Sequence, residues 1–407
     1  MIQCQKDNIY CKKGLSTGEQ TFVWRFSMYF AGPSAGKILA DWGADVIKVE
    51  PLEGEPGRRS GLVMGLRADN DANPYWELLN GGKRTISIDM KTLDGQRIMD
   101  RLLARANIFI SNCRLQALTR LGLEYETMSA KHPHIIWGHI CGYGHNGDES
   151  AKPGFDASAF WSRSGALLDV ADKGGKPLTN PFAMGDIATG YSLAGGVAAC
   201  LYKQAILGKG EKVVTSLYGT GIWHAACLVQ STWHGDEWPK SRSQPFSPLC
   251  NSFCCKDGKW LYVSIMEYKR YFAPLCRVIG RPGLITDVRF SDELALRRHC
   301  AIFTKILDAA FMGRDYAEWD RLLIEADIVH DGICHFKDVA NDPQALANNY
   351  VYLTHNRDGT EELIPATPVQ FGTWHIEHRP APLLGENTDE VMMELGYGHD
   401  DIEYFRQ

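Results

Sequence analysis

The residue with the clearest chemical potential in this chain is the acidic residue Asp186. It follows Gly185 and precedes a long apolar segment, Ile187 to Leu207, whose one charge is Lys203. An aspartate at such a junction is well suited to cap the N-terminus of a helix. A carboxylate in a dry pocket can instead act as a nucleophile and form a covalent acyl intermediate. The position alone leaves both interpretations open.

Other polar residues are less well placed for catalysis. Asp156 lies two positions after the loop glycine Gly154, and an acid in that setting is more typical of a turn or a cap than of a catalyst. Neither Ser164 nor Ser216 lies in the G-x-S-x-G pattern of a serine hydrolase. The histidines form no HExxH pattern either. The sequence therefore gives little support to hydrolytic chemistry.

The cysteines do not indicate a metal centre. Cys250, Cys254 and Cys255 lie close together in the sequence, but they do not have the CxxC spacing, and the sequence has no second pair of cysteines to complete a four-ligand zinc site. We expect these to be structural thiols and predict no metal site. The 12 cysteines begin at Cys4 and end at Cys334, in a chain that starts without an apolar signal segment. That pattern is typical of reduced thiols in the cytoplasm.

A glycine-rich stretch from Gly32 to Gly36 raises the possibility of phosphate binding. Such a turn opening a helix can hold phosphate through free backbone N–H groups, and Glu50 would then stand where a ribose-binding acid stands in dinucleotide folds. The spacing is GxxxG and not G-x-G-x-x-G, and Pro33 removes one donor. Close packing of a helix on a strand is the better interpretation.

The elements around these residues alternate between strand and helix. Thr21 to Phe30 is predicted to be a strand, a helix follows the small-residue turn and runs to about Trp42, and Asp45 to Glu50 forms the next strand. Further strands are predicted at 84–89, 107–111, 135–140, 212–217 and 259–265, and helices at 93–106, 187–207, 268–279, 294–311, 315–326 and 388–395. This alternation predicts an α/β, doubly wound parallel sheet.

The domain organisation follows from a change of character after the last strand of that sheet. We predict a large Rossmann-like domain over 1–225, a linker and smaller α+β domain over 226–325, and a C-terminal segment, 326–407, that returns to the large domain. The segment Trp233 to Pro248 is rich in Ser, Pro and charge and is predicted to be a linker or surface loop.

Composition narrows the class of protein. Hydrophobic residues make up 44% and charged residues 23%, which is ordinary for a soluble globular enzyme. The net charge is −6 without a dominant Lys/Arg run, so we expect neither nucleic acid nor a membrane as a partner.

Taken in order, the short motifs of the chain resemble those of the class III CoA-transferases, the family of formyl-CoA transferase and carnitine CoA-transferase. The match runs from about Phe30 to about Tyr397, and within the family it is most similar to the branch acting on 2-hydroxyacyl and aryl-acrylyl CoA esters. The family motifs are Ala31-Gly32-Pro33, Leu39 to Glu50, Asn80 to Arg84, Gly142-Tyr143-Gly144, Gly185-Asp186, Gly208 to Glu211 and Ala381 to Thr388. The segments similar to the branch are Asn112 to Leu118, Lys152 to Asp156 and Ala345 to Asn349.

The resemblance implies a fold, a mechanism and a site. It implies an interlocked homodimer, with Asp186 as the catalytic aspartate that carries the acyl group as an anhydride and CoA as an aspartyl thioester. It implies coenzyme A thioesters as substrates, with no permanently bound cofactor and no metal. Carried over by position, the CoA contacts are Ala31, Ile88, Lys91, Asn112, Cys113, Arg114, Arg120, Ile140, Gly142 and Tyr143.

Three positions bear on the alternatives. Pro51 and Cys141 stand where formyl-CoA transferase has an arginine and a lysine on CoA, so the resemblance favours 2-hydroxy, aryl or branched-chain acids over formate and oxalate. The related α-methylacyl-CoA racemases use a histidine that would fall at Phe155, a side chain that cannot move a proton. A non-catalytic acyl-CoA-binding protein is the remaining alternative, and it would tolerate loss of Asp186.

Overall fold

A computed structural model of the chain describes residues 21–373, 376 and 378–406. They form two compact units: the described parts of Met1–Ser164, Asn180–Ala226 and Pro343–Gln407 make the first, and Gly165–Thr179 with Cys227–Asp342 makes the second. No helix in these described ranges combines the length and the apolar character needed to cross a lipid bilayer.

The secondary structure alternates as the sequence predicts. The strands are β1 Phe22–Phe26, β2 Asp45–Glu50, β3 Arg84–Ser87, β4 Ile108–Ser111, β5 Ile136–Cys141, β6 Lys212–Ser216, β7 Cys250–Cys254, β8 Trp260–Ser264, β9 His330–Gly332, β10 Val351–His355 and β11 Glu361–Pro365. The helices are α1 Ala31–Asp41, α2 Pro74–Asn80, α3 Leu93–Arg105, α4 Leu115–Arg120, α5 Tyr125–Lys131, α6 Ala166–Asp169, α7 Met184–Leu207, α8 Leu217–His224, α9 Ala226–Trp233, α10 Tyr268–Val278, α11 Glu293–Arg298, α12 Cys300–Phe311, α13 Tyr316–Glu325, α14 Pro343–Ala347, α15 Thr388–Glu394 and α16 His399–Arg406.

The first unit is built on a six-stranded sheet in the order β3-β2-β1-β4-β5-β6. Every neighbouring pair in it is parallel. This is the strand order of doubly wound folds, in which the order reverses between β1 and β4 and ligands bind at the carboxyl ends of the strands. The predicted mixed α/β class is confirmed, and the reversal marks where a site is to be sought.

Successive residues of the central strands enter different cores because strand side chains alternate between faces. Trp24 and Phe109 pack into the core that includes α3, whereas Val23 and Ile108 pack into the core that includes α1 and α7. Both faces are covered by helices, which explains why these strands are apolar runs.

The helices α1 and α7 approach each other unusually closely. A Cβ atom added to Gly190 of α7 would lie 1.9 Å from Ser34 Oγ of α1, and one added to Gly36 of α1 would lie 2.9 Å from Arg25 Cδ of β1. These glycines remove side-chain bulk where backbones meet. The close-packing interpretation of the glycine-rich stretch is therefore confirmed. The predicted turn is wrong, because Gly32 to Gly36 lie inside α1.

Two other element boundaries differ from the predictions. α7 begins at Met184. The residue before it, Ala183, has a left-handed φ of 61° and is the N-cap, so Asp186 lies in the first turn of the helix and is not the N-cap. The predicted helix 294–311 is two helices, because His299 leaves helical geometry between α11 and α12.

The second unit has its own core and a small antiparallel sheet, β7-β8-β9. Phe253, Phe303, Phe311 and Trp319 are among its fully buried side chains. In the segment predicted to be a linker, Arg242 donates two hydrogen bonds of 3.0 Å to Asp308, which attaches that segment to α12.

Candidate active site

A cavity of about 280 Å³ opens at the carboxyl ends of β1, β4 and β5 in the first unit. Its wall includes the loop after β1, the residues after β4, the end of β5 with the loop that follows, and the first turn of α7. The position is the one where the strand order reverses, which is where doubly wound folds bind ligands. Asp186 is part of the wall.

The Asp186 carboxyl group is an unusually weak acid. It is half-buried in the first turn of α7. Removal from water raises its pKa, the nearby charge of Asp156 raises it further, and the result is about 7. A helix N-terminus favours a carboxylate, but here the loss of hydration and the like charge prevail. A perturbed acid in a cleft is a candidate functional group.

Asp156 holds the backbone on which Asp186 is mounted. Its side chain is buried, and its Oδ1 accepts a hydrogen bond of 3.1 Å from the Asp186 backbone N–H. Burial raises the pKa of Asp156, and the Asn180 side chain and the backbone N–H groups of Asp186, Gly185 and Ala183 act against that rise. Asp156 thus binds backbone N–H groups at a helix N-terminus, as a capping residue does. The helix is α7, which begins 28 residues later in the chain.

The backbone next to Asp186 has little freedom. A Cβ atom at Gly185 would lie 2.3 Å from both Asp156 Oδ1 and the ring of Phe160. On the other side of the helix, Ser34 Oγ donates a hydrogen bond of 3.4 Å to the Asp186 carbonyl. The carboxylate is therefore presented from a rigid support, as preorganised catalysis requires.

The loop after β1 forms the opposite wall and is also fixed. Tyr29 has a left-handed φ of 60°, and its N–H donates a hydrogen bond of 2.9 Å to the buried carboxylate of Glu55. The Asn112 side chain binds Met28 twice, accepting from its N–H and donating to its carbonyl, each at 2.8 Å. A non-glycine residue in this conformation stores strain that the surroundings must offset, and such strain is common at functional sites.

A network of buried ionic side chains is hydrogen-bonded to this loop. Glu55 accepts a hydrogen bond from Lys48, and Arg25 lies 3.8 Å from the same carboxylate. Lys48 also donates to the Ser27 carbonyl at 3.2 Å, which ties the network to the loop. Burial lowers the pKa of Lys48 to about 8 and that of Arg25 to about 10.

Three further side chains of the cavity wall were not predicted to be functional from the sequence. His139 Nδ1 lies 2.8 Å from His145 Nε2, and the ligand atoms of both lie within 4.8 Å of Cys141 Sγ. Burial lowers the pKa of His139 to about 4, so the ring is neutral at physiological pH. The spacing H-x-C-x₃-H at the end of a predicted strand is the sequence signal that would have indicated them.

The residues predicted to contact CoA fall mainly around two cavities. Ala31, Asn112, Cys113, Arg114, Ile140 and Gly142 line the cavity that contains Asp186. Ile88, Lys91 and again Cys113 line a neighbouring cavity of about 270 Å³, and Met28 also lines both. Arg120, the last residue of α4, and Tyr143, whose ring packs against Tyr218, are not among the residues that line either cavity.

A known protein family and several of its named members match most of the chain. The model of CoA-transferase family III matches residues 19–388. The chain is 37% identical over 385 residues to (R)-2-hydroxy-4-methylpentanoate CoA-transferase of Clostridioides difficile, covering 94% of this chain and 96% of the relative. It is 32% identical over 387 residues to cinnamoyl-CoA:phenyllactate CoA-transferase of Clostridium sporogenes, covering 94% of each.

Solved structures give the same result for the fold. A CAIB/BAIF family protein from Brucella suis is 26% identical, with a TM-score of 0.76 and coverage of 92% of this chain and 98% of that one. Rv3272 from M. tuberculosis is 25% identical, with a TM-score of 0.79 and coverage of 91% and 97%. With the family model matched over most of its length, the chain belongs to CoA-transferase family III.

Proposed function

We propose that this CoA-transferase moves CoA from an acyl-CoA donor to a 2-hydroxy, aryl or branched-chain carboxylic acid, with Asp186 as the covalent carrier. The observation that carries this proposal is the placement of Asp186: a half-buried carboxylate with a pKa near 7, on a fixed backbone, in the wall of the cavity at the reversal of strand order. A desolvated carboxylate is a better nucleophile than a hydrated one, and exclusion of water protects an acyl anhydride from hydrolysis.

The proposed reaction conserves charge without an external proton. The Asp186 carboxylate attacks the donor carbonyl, the C–S bond breaks, and CoA leaves as a thiolate while an aspartyl acyl anhydride forms. The thiolate then attacks the aspartyl carbonyl, so the donor acid leaves as a carboxylate and an aspartyl-CoA thioester remains. The acceptor carboxylate attacks that thioester, and the thiolate released attacks the acceptor carbonyl of the second anhydride. The product acyl-CoA leaves and the Asp186 carboxylate is restored.

The two neighbouring cavities suggest how CoA is held. We propose that the thioester end lies in the cavity with Asp186, against Ala31, Asn112, Ile140 and Gly142, and that the chain of CoA continues past Cys113 toward Ile88 and Lys91. The exposed cations Lys91 and Arg114 are proposed phosphate partners, because guanidinium and ammonium groups favour phosphate. Arg120 and Tyr143 lie outside both cavities and contribute least to this arrangement.

The acyl specificity is proposed from an aromatic pair at the cavity. Phe155 is 62% exposed and lines the cavity, and its ring lies edge-to-face with Tyr29 at 5.9 Å. Such a pair offers apolar surface to a branched or aryl acyl group. The relatives named for 2-hydroxy-4-methylpentanoate and for cinnamoyl-CoA and phenyllactate support the same substrate class.

The assembly and setting are part of the same proposal. We propose an interlocked homodimer, which predicts a dimeric mass in solution and no exchange of subunits between differently labelled preparations. The proposed setting is the cytoplasm, where the ten cysteines of the described chain keep the free thiols that the structure gives them.

The test combines a substrate panel with a trap for the intermediate. The purified enzyme is assayed with a series of acyl-CoA donors and with 2-hydroxy, aryl and branched acids, beside formate and oxalate. We expect branched or aryl pairs to give the highest kcat/KM, and a best rate with formate and oxalate would contradict the substrate class. Hydroxylamine with donor acyl-CoA should inactivate the enzyme by forming a hydroxamate at Asp186. Mass spectrometry should locate the adduct in the peptide that contains Asp186.

The same assay separates the alternatives. Run in deuterium oxide with an α-methylacyl-CoA, a racemase would incorporate deuterium at the α-carbon, whereas a transferase would not. Phe155 supports the second outcome because its side chain holds no transferable proton. A non-catalytic binding protein would retain acyl-CoA without turnover.

A further inference from the structure

We infer that His139, Cys141 and His145 form a binding site for a thiophilic divalent cation, with Zn²⁺ the favoured ion, in the wall of the catalytic cavity. The metal is not a cofactor of the transfer. Its occupancy blocks the cavity and makes the enzyme sensitive to zinc. The site is defined by its ligands, so it stands or falls independently of the proposed acid substrates.

The geometry brings three ligand atoms of the correct chemistry together. The ring nitrogens of His139 and His145 that face each other are 2.8 Å apart, and one ring nitrogen of each histidine lies within 4.8 Å of the Cys141 sulfur. Imidazole nitrogen and thiolate sulfur are the ligands that zinc prefers, and three protein ligands with one open position are a common zinc arrangement. Tetrahedral bonds of about 2.0–2.3 Å separate neighbouring ligands by roughly 3.3–3.8 Å. On binding, the nitrogen pair therefore needs to open by about half an ångström, and the Cys141 sulfur needs to move closer to the histidines by up to about 1.3 Å.

One of the rings is already oriented as a ligand. The Nε2 of His139 lies 2.7 Å from the Cys113 carbonyl oxygen, which can only accept a hydrogen bond. Nε2 therefore carries the proton, and the lone pair of Nδ1 faces His145. His139 is 1% exposed and stacks on Trp137 at 5.1 Å, so the ring cannot turn away. A backbone carbonyl that fixes the second nitrogen is the usual support of a metal-binding histidine.

The binding step balances without an oxidant. Zn²⁺ displaces the thiol proton of Cys141, which leaves to solvent as the Zn–S bond forms. The proton shared between the two rings leaves His145 Nε2, and the opposite nitrogen of that half-buried ring takes one up from water. The ion is then held by one thiolate and two neutral imidazoles.

The fourth position faces the cavity. Cys141, His139 and His145 line the same cavity as Asp186. A metal ion there, with water or the thiol of free CoA as its fourth ligand, occupies space that the acyl-CoA needs. We therefore expect Zn²⁺ to inhibit competitively with acyl-CoA and a chelator to restore activity.

The direct test is metal binding by the full chain, freed of metal with a chelator. Calorimetry with ZnCl₂ should show one ion per chain. Titration with Co²⁺ should give the visible bands of a tetrahedral ion together with a thiolate-to-cobalt charge-transfer band. Cys141→Ser should remove the charge-transfer band, and Cys141→Ser and His145→Asn should each weaken zinc binding by about 100-fold or more. Cys200→Ser, a half-buried thiol of α7 outside this cavity, is the matched control and should bind as the wild type does.

Several results would overturn the inference. They are binding of less than one ion per chain, a cobalt spectrum without the sulfur band, or unchanged affinity in both variants. Thermal unfolding identifies a variant that fails to fold, and His145→Asn at a half-buried ring provides the second measurement. Because binding is read without substrate, loss of zinc binding leaves the CoA-transfer proposal intact, and an inactive enzyme that binds zinc contradicts only that proposal.

Discussion

Two of the places where the first unit takes charged groups out of water are organised in opposite ways. Beneath the loop after β1, Lys48 and Arg25 share the carboxylate of Glu55, and Arg58 donates two hydrogen bonds to Glu50 at 2.9 Å and 2.7 Å. At the start of α7, Asp156 and Asp186 place two carboxyl groups of like charge beside each other, and the pKa of both is raised.

The contrast separates two uses of buried charge. In the network, burial by itself would raise the pKa of Glu50, but the hydrogen bonds from Arg58 and the charge of Lys48 outweigh it. The pKa is therefore lowered and the carboxylate is a fixed structural group. In the pair, burial and like charge leave the Asp186 carboxylate poorly stabilised and therefore reactive. The network positions one wall of the cavity, whereas the pair supplies the group that we propose to react. Five variants test this contrast.

The largest effect is expected at the reactive carboxylate. Asp186→Ala should lower kcat for CoA transfer by about 10⁴-fold or more, because no other group of the mechanism forms the anhydride. The rate is measured by chromatography of the product acyl-CoA. Asp100→Asn, at an exposed ion pair on α3, is the control and should keep full activity. An Asp186→Ala enzyme with wild-type kcat would exclude the covalent mechanism.

Breaking the network should cost stability before it costs chemistry. Glu55→Gln leaves the buried Lys48 and Arg25 without their shared anion, and loss of one partner of a buried pair typically costs about 3–5 kcal/mol. The midpoint of urea unfolding is the measurement. Glu53→Gln, two residues earlier and exposed, is the matched control. Equal midpoints for the two variants would mean that the network does not stabilise the fold.

Removing the charge of Asp186 should instead stabilise the fold at high pH. The pKa of Asp186 is about 7 in the folded chain against the ordinary 3.8, so the folded state binds the proton more tightly and the wild type loses stability as pH rises from about 4 to about 7. Asp186→Asn does not titrate. Its melting temperature relative to the wild type should therefore be higher at about pH 8 than at about pH 5, equivalent to about 1–2 kcal/mol after allowance for solvent screening. A constant difference would contradict the raised pKa.

The charge of Asp156 should affect the pH at which Asp186 loses its proton. Transfer requires the carboxylate form, so kcat/KM of the wild type should rise with pH through about 7. Asp156→Asn removes the like charge, which lowers the pKa of Asp186 and moves this rise to lower pH, by less than about one unit. The Asn side chain retains an oxygen for the Asp186 N–H, so the melting temperature checks that α7 keeps its position. An unmoved profile would show that Asp156 acts only as a cap.

The smallest effect is expected at the aromatic pair. Phe155→Ala removes the ring that packs against Tyr29 and should raise KM for aryl acids several-fold, in line with about 0.5–1.5 kcal/mol for such a pair. KM for a short straight-chain acid serves as the internal control and should change less. An equal increase for both acids would assign Phe155 to the binding of CoA and not to the acyl group.

The sequence predicted those features that depend on local pattern or on motif order. The parallel strands and α3 follow from hydrophobic periodicity, and Thr92 caps α3 by accepting from the Gly95 N–H at 3.0 Å. Asp186 was singled out because a glycine and an apolar segment surround it. The interpretation of Asp186 as the N-cap is wrong, because Ala183 occupies the N-cap position and α7 begins at Met184, two residues before Asp186.

The remaining features are contacts between segments far apart in the chain, which periodicity does not encode. Asp156 meets the backbone of α7 across 30 residues, and Asn112 meets Met28 across 84. Each of these residues is ordinary in its local sequence, and its role appears only when the sheet brings the segments together.

The contact between Ser34 and Asp186 has a consequence for how the enzyme is made. The two residues are 152 positions apart, and the segments that carry them enclose four strands of the sheet. Contacts between distant segments form late because closing long loops costs entropy. During synthesis α1 leaves the ribosome long before α7, so the small residues of α1 that contact α7 are at first uncovered. The part of the cavity wall that carries Asp186 cannot form until α7 has been synthesised, so a growing chain acquires the proposed activity only after the strands β1 to β5 have been made.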